Sequence, residues 1–268
     1  MRYAIIASEQ DPAGMNIRKH LLEDYEFIGD GELDGNKVFT YGNTALYTIK
    51  EKLIHAENID EKIDAEIFIF ASKHVSKDNV PALCCHCIGN WGKAEHGGKD
   101  SSLVPSPAFL LKETFLRLNA LKDKFPSFEI TLEATHHGPF LRKPVIFVEI
   151  GSNEEQWRNE SAGKEVAAVI MDSIKANEKY KACIFLGGGH YNLNANKVML
   201  RTDYAIGHIC PKHALEKISA EMILQAMEKT VPKAELAILD WKGLGQFKEK
   251  VSVAVEKSGI KYEKYKKL

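Results

Sequence analysis

No apolar run in the 268-residue sequence approaches the roughly 20 residues that a membrane-crossing helix needs. An excess of one charge is also missing: 36 Lys and Arg stand against 37 Asp and Glu, for a net charge of -1. That balance supplies no global basic field for gripping a duplex, so DNA is not an expected partner, although a local patch touching one RNA end is compatible with it. The five cysteines, Cys84, Cys85, Cys87, Cys183 and Cys210, are odd in number and sit inside apolar segments. They argue against a disulfide framework and for reduced thiols in a cytoplasmic protein. There is no Gly-x-Ser-x-Gly elbow, no His-Glu-x-x-His and no Walker loop, which excludes the standard serine hydrolase, metalloprotease and P-loop patterns. Internal repeats, low-complexity tracts and interdomain linkers are absent as well, so residues 1–268 read as a single α/β domain.

What is present is a series of short apolar runs closed by turn residues. They predict strands at about 2–8, 66–71, 82–88, 128–135, 144–151, 180–187, 203–209 and 234–240, with a hairpin over 37–49. The first, near Met1–Ser8, reads as a strand and not as a signal peptide. Helical periodicity predicts helices at about 15–25, 107–122, 161–177, 213–229 and 244–258. The alternation of strand and helix implies a three-layer α/β/α arrangement with a mixed, largely parallel sheet. Residues 89–107 interrupt it as a long glycine-rich loop that holds Trp91 and His96. Loops of that length in a compact domain are commonly lids or binding loops.

Histidine is the abundant residue. Seven of the ten lie between positions 86 and 213. Glu133-Ala134-Thr135-His136-His137-Gly138-Pro139 joins a carboxylate to two imidazoles at a turn, in a pattern that suits metal ligation or acid/base work at a sheet edge. Read as a strand end, its alternation puts Glu133 and His137 on one face and His136 on the other. Glu149 stands inside the apolar strand Val145–Ile150, where a carboxylate needs a cation, a metal or backbone donors. Gly187-Gly188-Gly189-His190 follows another apolar run, and its backbone amides are candidates for an oxyanion or phosphate cradle. His208 closes a further run. In Cys84-Cys85-His86-Cys87 alternation splits the four side chains between two faces, so they cannot close one zinc tetrahedron, and His86 alone is the candidate.

At these residues the chain resembles the D-aminoacyl-tRNA deacylases of the archaeal and plant type. The matching pieces are His86-Cys87-Ile88-Gly89-Asn90, Glu133 to Pro139, Phe147-Val148-Glu149-Ile150-Gly151-Ser152, Gly187-Gly188-Gly189-His190-Tyr191 and Gly207-His208-Ile209. The resemblance implies hydrolysis of the ester between a D-amino acid and the terminal ribose of tRNA, zinc dependence, and a fold similar to peptidyl-tRNA hydrolases and nucleoside phosphorylases. From the residue chemistry, the expected zinc ligands are His86, His136, His137 and His190, and the expected bases Glu133 and Glu149. Trp91, His96, Gly187, Gly188, Gly189, Tyr191 and His208 are expected to meet the acceptor end of the RNA or the amino acid, with Trp91 or Tyr191 stacking on the terminal adenine. The protein is expected to be a monomer or small homo-oligomer. Two other readings use the same residues: a zinc amidohydrolase or peptidase on small acylated amino acids, and a non-catalytic module that binds RNA ends.

Overall fold

A computed structural model describes residues 1–268. The chain runs through β1 (Tyr3–Ser8), α1 (Pro12–Asp24), β2 (Ile28–Leu33), β3 (Asn36–Tyr41), β4 (Thr44–Ile49), β5 (Ile67–Lys73), β6 (Ala82–His86) and α2 (Ala108–Ala120). It continues through β7 (Glu129–Leu132), β8 (Val145–Gly151), α3 (Glu160–Ser173), β9 (Lys181–Leu186), α4 (Leu193–Arg201) and β10 (Tyr204–Cys210). It closes with α5 (Ala220–Lys229), β11 (Leu236–Leu239), α6 (Lys248–Ser258) and β12 (Tyr262–Lys264), and short turns and bridges join these elements. No helix is long and apolar enough to cross a membrane.

The α/β class and the mixed, largely parallel pairing are as the sequence predicts. The strands, however, divide between two sheets: eight in the order β7-β6-β8-β5-β1-β4-β3-β2, and four in the order β10-β9-β11-β12. All three pairings of the smaller sheet are parallel. In the larger, β6 runs antiparallel to β8 while β8 runs parallel to β5. That reversal brings His86 toward the site from the direction opposite to His74.

Alternation along β1, β5 and β8 sends Ile5, Ile69, Ile146 and Val148 into a core with α1, α2 and α3. The other face, with Ile6, Phe68, Phe70 and Phe147, is covered by a 3-10 turn at Leu53–His55, a single helical turn at Ile59–Lys62 and loop segments that include Val104 and Leu141. The helix-side core also takes Phe185, Ile206 and Ile238 from the smaller sheet, so the two sheets share apolar packing. Asp11 starts α1 by accepting the Gly14 N–H at 2.8 Å, as an N-cap does, and its second oxygen accepts the Lys73 N–H at 2.9 Å. The helix is thereby pinned to the end of β5.

Two helical segments differ from the periodicity. Leu193–Arg201 forms a helix that the sequence reading leaves out, because only Ala195, Val198 and Met199 of its nine residues carry an apolar stripe. Asn192 caps it through the Ala195 N–H at 3.1 Å. The expected helix over 213–229 is split into a 3-10 turn at Lys212–Lys217 and α5, where Ser219 supplies a fresh N-cap.

Lys112 on α2 is 2% exposed, and its ammonium donates to Thr202 O at 2.6 Å and Tyr204 O at 2.8 Å, tying α2 to the start of β10. Burial pushes its pKa down to about 8. Lys112→Met leaves both carbonyls unpaired and is expected to cost about 1–3 kcal/mol for each, read by denaturant unfolding. The usual lysine value is near 10.4. Between pH 8 and about 10.4 the unfolded chain holds a proton that the folded one releases, so the wild type should gain on the variant as pH rises through that window.

Candidate active site

Glu149 lies on the same face of β8 as Phe147, the face opposite α1, α2 and α3. The register sets it opposite Cys84 of β6 and Ser72 of β5, and sets Phe147 opposite His86. Diagonal neighbours on one face of an antiparallel pair lie within reach of each other. Accordingly the His86 Nε2 is 3.5 Å from Glu149 Oε2 and the Cys84 Sγ is 3.8 Å from it. The Phe147 ring stacks on the His86 imidazole at 5.4 Å and 15°, fixing its plane.

Strand β7 ends at Leu132, three residues short of the predicted boundary, and the chain then crosses from one sheet to the other. The Ala134 N–H donates to His190 O at 2.8 Å and the Thr135 N–H to Ile209 O at 3.0 Å, while His137 O accepts the Gly89 N–H at 2.9 Å. His137 takes φ +47°, a left-handed conformation that a non-glycine residue keeps only where its surroundings over-determine it. Two-residue alternation therefore fails here. His136 does not face away: its Nε2 is 3.5 Å from Glu133 Oε2, and the His136 and His137 rings are 4.3 Å apart. The expected position at one sheet edge is corrected too. The site sits on the face of the larger sheet opposite α1, α2 and α3, where residues 133–137 cross to meet residues 187–191 of the smaller one.

Hydrogen bonds set the tautomers of three rings. The Nδ1 of His86 lies 3.1 Å from Cys87 O, that of His136 2.8 Å from Ala134 O, and that of His137 2.6 Å from Gly138 O. A carbonyl only accepts, so each Nδ1 carries the proton, and a neutral ring keeps its lone pair on Nε2. Burial, reinforced by the neighbouring imidazoles, lowers His137 to about 4 and His136 well below the usual histidine value. His86 differs: burial disfavours its charge, but the Glu149 carboxylate outweighs that and raises its pKa. The His86 Nε2 is buried without a hydrogen-bond partner. One ring nitrogen from each of the three lies within 4.8 Å of the others. Lone pairs converging from rings that are each oriented through the far nitrogen are what metal-ligating histidines present, and an all-imidazole set suits zinc.

Glu133 is buried beside this trio. His190 Nε2 hydrogen-bonds its Oε2 at 3.1 Å, and His74 Nδ1 is 2.8 Å from its Oε1 and 3.7 Å from Glu149 Oε2. Burial opposes the ionisation of both carboxylates. His190 and His74 outweigh it at Glu133 and hold that pKa well below the usual range; His74 and His86 lower Glu149 to about 2. Burial disfavours the charge on His74 as well, but Cys84, Glu133 and Glu149 around it raise its pKa. Because burial also pushes the Cys84 thiol far up, the carboxylates are the partners that keep His74 cationic. His74 belongs to no motif, and its only signal in the sequence is its place just past the apolar strand β5.

The remaining candidates are placed unequally. His96 is exposed at the cavity mouth, and its carbonyl accepts the Gly138 N–H at 3.0 Å. Tyr191 stands over His74, its hydroxyl 2.5 Å from Nε2. Trp91 does not offer a free stacking face: it is 4% exposed, and its indole N–H donates to Ile209 O at 3.1 Å. Two amides of the expected glycine cradle are already engaged, Gly187 N–H with Cys210 O at 2.8 Å and Gly188 N–H with Gly243 O at 3.3 Å. His208 lies outside the cluster, buried under the 133–137 segment with Nδ1 3.3 Å from Thr135 Oγ1, where burial lowers its pKa to about 3. The 89–107 segment is not a free lid. Gly89–Asn90 pairs with Ser102–Leu103, and Glu57 accepts the Gly98 N–H at 2.7 Å.

A chamber of about 610 Å³ opens on one side of the histidines, toward Asp11, Ser72 and His74. A smaller one of about 390 Å³ opens on the other, toward Asn90, Thr135 and His213. His96, His136, His137 and His190 line both.

The family model described as D-aminoacyl-tRNA deacylase matches residues 61–263. A D-aminoacyl-tRNA deacylase of Thermococcus kodakarensis is 38% identical over 96% of this chain and 98% of its own length. One of Archaeoglobus fulgidus is 38% identical over 98% of this chain and 96% of its own. The crystal structure of a conserved protein of unknown function, AF0625, superposes with a TM-score of 0.92 at 36% identity, covering 99% of this chain and 96% of that one.

The carbonyl that orients His137 belongs to Gly138, where a Cβ would lie 2.2 Å from Gly98 N and 2.4 Å from Gly97 C. Gly138→Ala must displace backbone and with it that carbonyl. If the three histidines hold zinc, its affinity, measured by competition with a chromophoric chelator, should fall roughly 10–100-fold, as when the hydrogen-bond partner behind a ligating ring is removed. An unchanged affinity would separate the 89–107 segment from the histidines.

Proposed function

The chain belongs to the D-aminoacyl-tRNA deacylase family, and from that premise we propose that the histidine cluster is where it hydrolyses the ester joining a D-amino acid to the terminal ribose at the acceptor end of tRNA. The reaction releases free D-amino acid and tRNA, a chiral proofreading step carried out in the cytoplasm. One observation supports this placement above others: three carbonyl-anchored imidazoles present lone pairs beside an ionised, buried Glu133, between two chambers.

His86, His136 and His137 would hold zinc: His136 and His137 are kept uncharged, and the His86 Nε2, buried without a hydrogen-bond partner, would turn from Glu149 to the ion on losing its proton. When bound, it supplies Lewis acidity toward water and the ester carbonyl. Glu133 takes a proton from the attacking water. Its carboxylate is held in place for this by His190 and His74. The water oxygen adds to the ester carbonyl carbon, and the bond from that carbon to the ribose oxygen breaks. Glu133 then gives that proton to the departing ribose oxygen, while His190, hydrogen-bonded to it and 39% exposed in its side chain, keeps the carboxylate oriented. Glu149 acts through others, holding His86 and His74 in place.

Hydrolysis of tRNA charged with D- and L-tyrosine tests the reading, with and without chelator. The D-ester should be cleaved preferentially, and verified removal of metal should abolish the activity. Equal rates on the two esters would defeat proofreading, and full activity without metal would defeat the role given to zinc. Glu133→Gln should lower kcat roughly 10²–10⁴-fold, the usual contribution of a general base.

A further inference from the structure

A third cavity, of about 600 Å³, lies beyond the two that flank the histidines. Its walls include Gly188, Gly189, Lys212, His213, Lys242 and Gln246, and no acidic side chain lines it. Neither Lys212 nor Lys242 enters an ion pair, whereas Lys181 and Lys233 pair with Asp203 and Glu228. The cavity is built by the loops that follow β10, β9 and β11, neighbouring parallel strands. The carboxyl ends of such strands are where open α/β sheets bind ligands. Lys212 N–H donates to Gly188 O at 2.8 Å and Gly188 N–H to Gly243 O, so the three loops are clamped to one another. At Gly245, whose backbone takes φ +59°, a Cβ would come within 2.5 Å of the Lys212 Cε, so the lysine stem lies packed against this turn. The Gly189 N–H has no acceptor within the protein.

The three cavities form a line. His190 lines the large chamber and the small one, and His213 lines the small chamber and the basic cavity. The two rings are 6.4 Å apart. The substrate has the same order in its covalent structure: amino acid, ester, terminal nucleoside, phosphodiester. We infer that the Lys212–Lys242 cavity is a phosphodiester subsite for the RNA strand just before its terminal nucleoside, which fixes the direction in which the substrate lies.

In that direction the nucleoside occupies the small chamber and the D-aminoacyl group the large one. The inference rests on the deacylase reading of the histidine cluster. The lining favours this direction over its reverse: the basic cavity sets Lys212 and Lys242 against no carboxylate, whereas the large chamber sets Glu133, Glu149 and Asp11 against Lys52, Lys73 and Lys77.

Binding of an uncharged single-stranded RNA ending in CCA, followed by fluorescence anisotropy on the whole protein across a salt series, is the test. Lys212→Ala and Lys242→Ala should each weaken binding roughly tenfold, the scale of a charge-assisted hydrogen bond. Each phosphate left without its lysine should reduce the slope of log K against log salt by about 0.7. Lys212→Arg should restore both, which a merely structural role would not produce. With D-aminoacyl-tRNA the double alanine variant should raise KM while kcat holds. The subsite is overturned if affinity and slope do not move, or if an adenosine ester without phosphate suffers the same loss. A greater loss from Lys52→Ala or Lys73→Ala than from the Lys212–Lys242 pair would overturn it by reversing the direction. If the wild type binds this RNA through the two lysines yet fails to cleave the D-ester, the deacylase reading of the cluster fails and the subsite stands. If cleavage stands and the lysine variants bind as the wild type does, the subsite fails alone.

Discussion

Two carboxylates removed from water, Glu133 and Glu149, set the terms on which the rest of the site is built. A buried carboxylate without a partner would be neutralised or would destabilise the fold, so each must be met by positive charge or by donors. Here the partners are imidazoles, and they come from distant parts of the chain: His74 after β5, His86 at the end of β6 and His190 after β9. The antiparallel placement of β6 against β8 and the crossing of residues 133–137 between the sheets are what bring these partners to both carboxylates. The site face of the larger sheet has room for them because α1, α2 and α3 all pack on its opposite side.

The same constraint explains which parts of the site are legible in the sequence. Glu149 announces itself as a lone carboxylate in an apolar strand, and Glu133 through His137 as a dense run of ionisable groups before a Gly-Pro turn. Cys84 and His86 share a face of β6, as alternation requires, and both reach Glu149. What alternation misjudges is the stretch where the strand stops. Once β7 ends at Leu132 and His137 turns to φ +47°, the two-residue rule no longer applies, and His136 joins the cluster it was expected to face away from. His74 is invisible from sequence because its function depends on register between strands, which no local pattern encodes. Trp91 and the glycine run mislead in the opposite sense. Both have the composition of binding elements, but the indole and two glycine amides are occupied in joining loops to strands.

At the level of fold, period-two runs identify the buried, apolar strands of the main sheet and miss its exposed edge strand β2. They do not reveal that β9, β10, β11 and β12 separate into a second sheet, since the division depends on which edges pair. Nor do they reveal α4, a short helix set as much by the Asn192 cap as by any apolar stripe.

The passage of residues 133–137 between the sheets also bears on when the site comes into being. Its donors span positions 74 to 190, and the segment that gathers them is held by backbone bonds to His190 O and Ile209 O. Pairings so distant along the chain close late, because loop closure must be met before they reward it. A nascent chain that has folded only its first sheet has His74, His86, Glu133 and Glu149 but nothing to hold residues 133–137 across the gap. The site thus comes into being only once the chain through Ile209 is in place, and not with the first sheet alone.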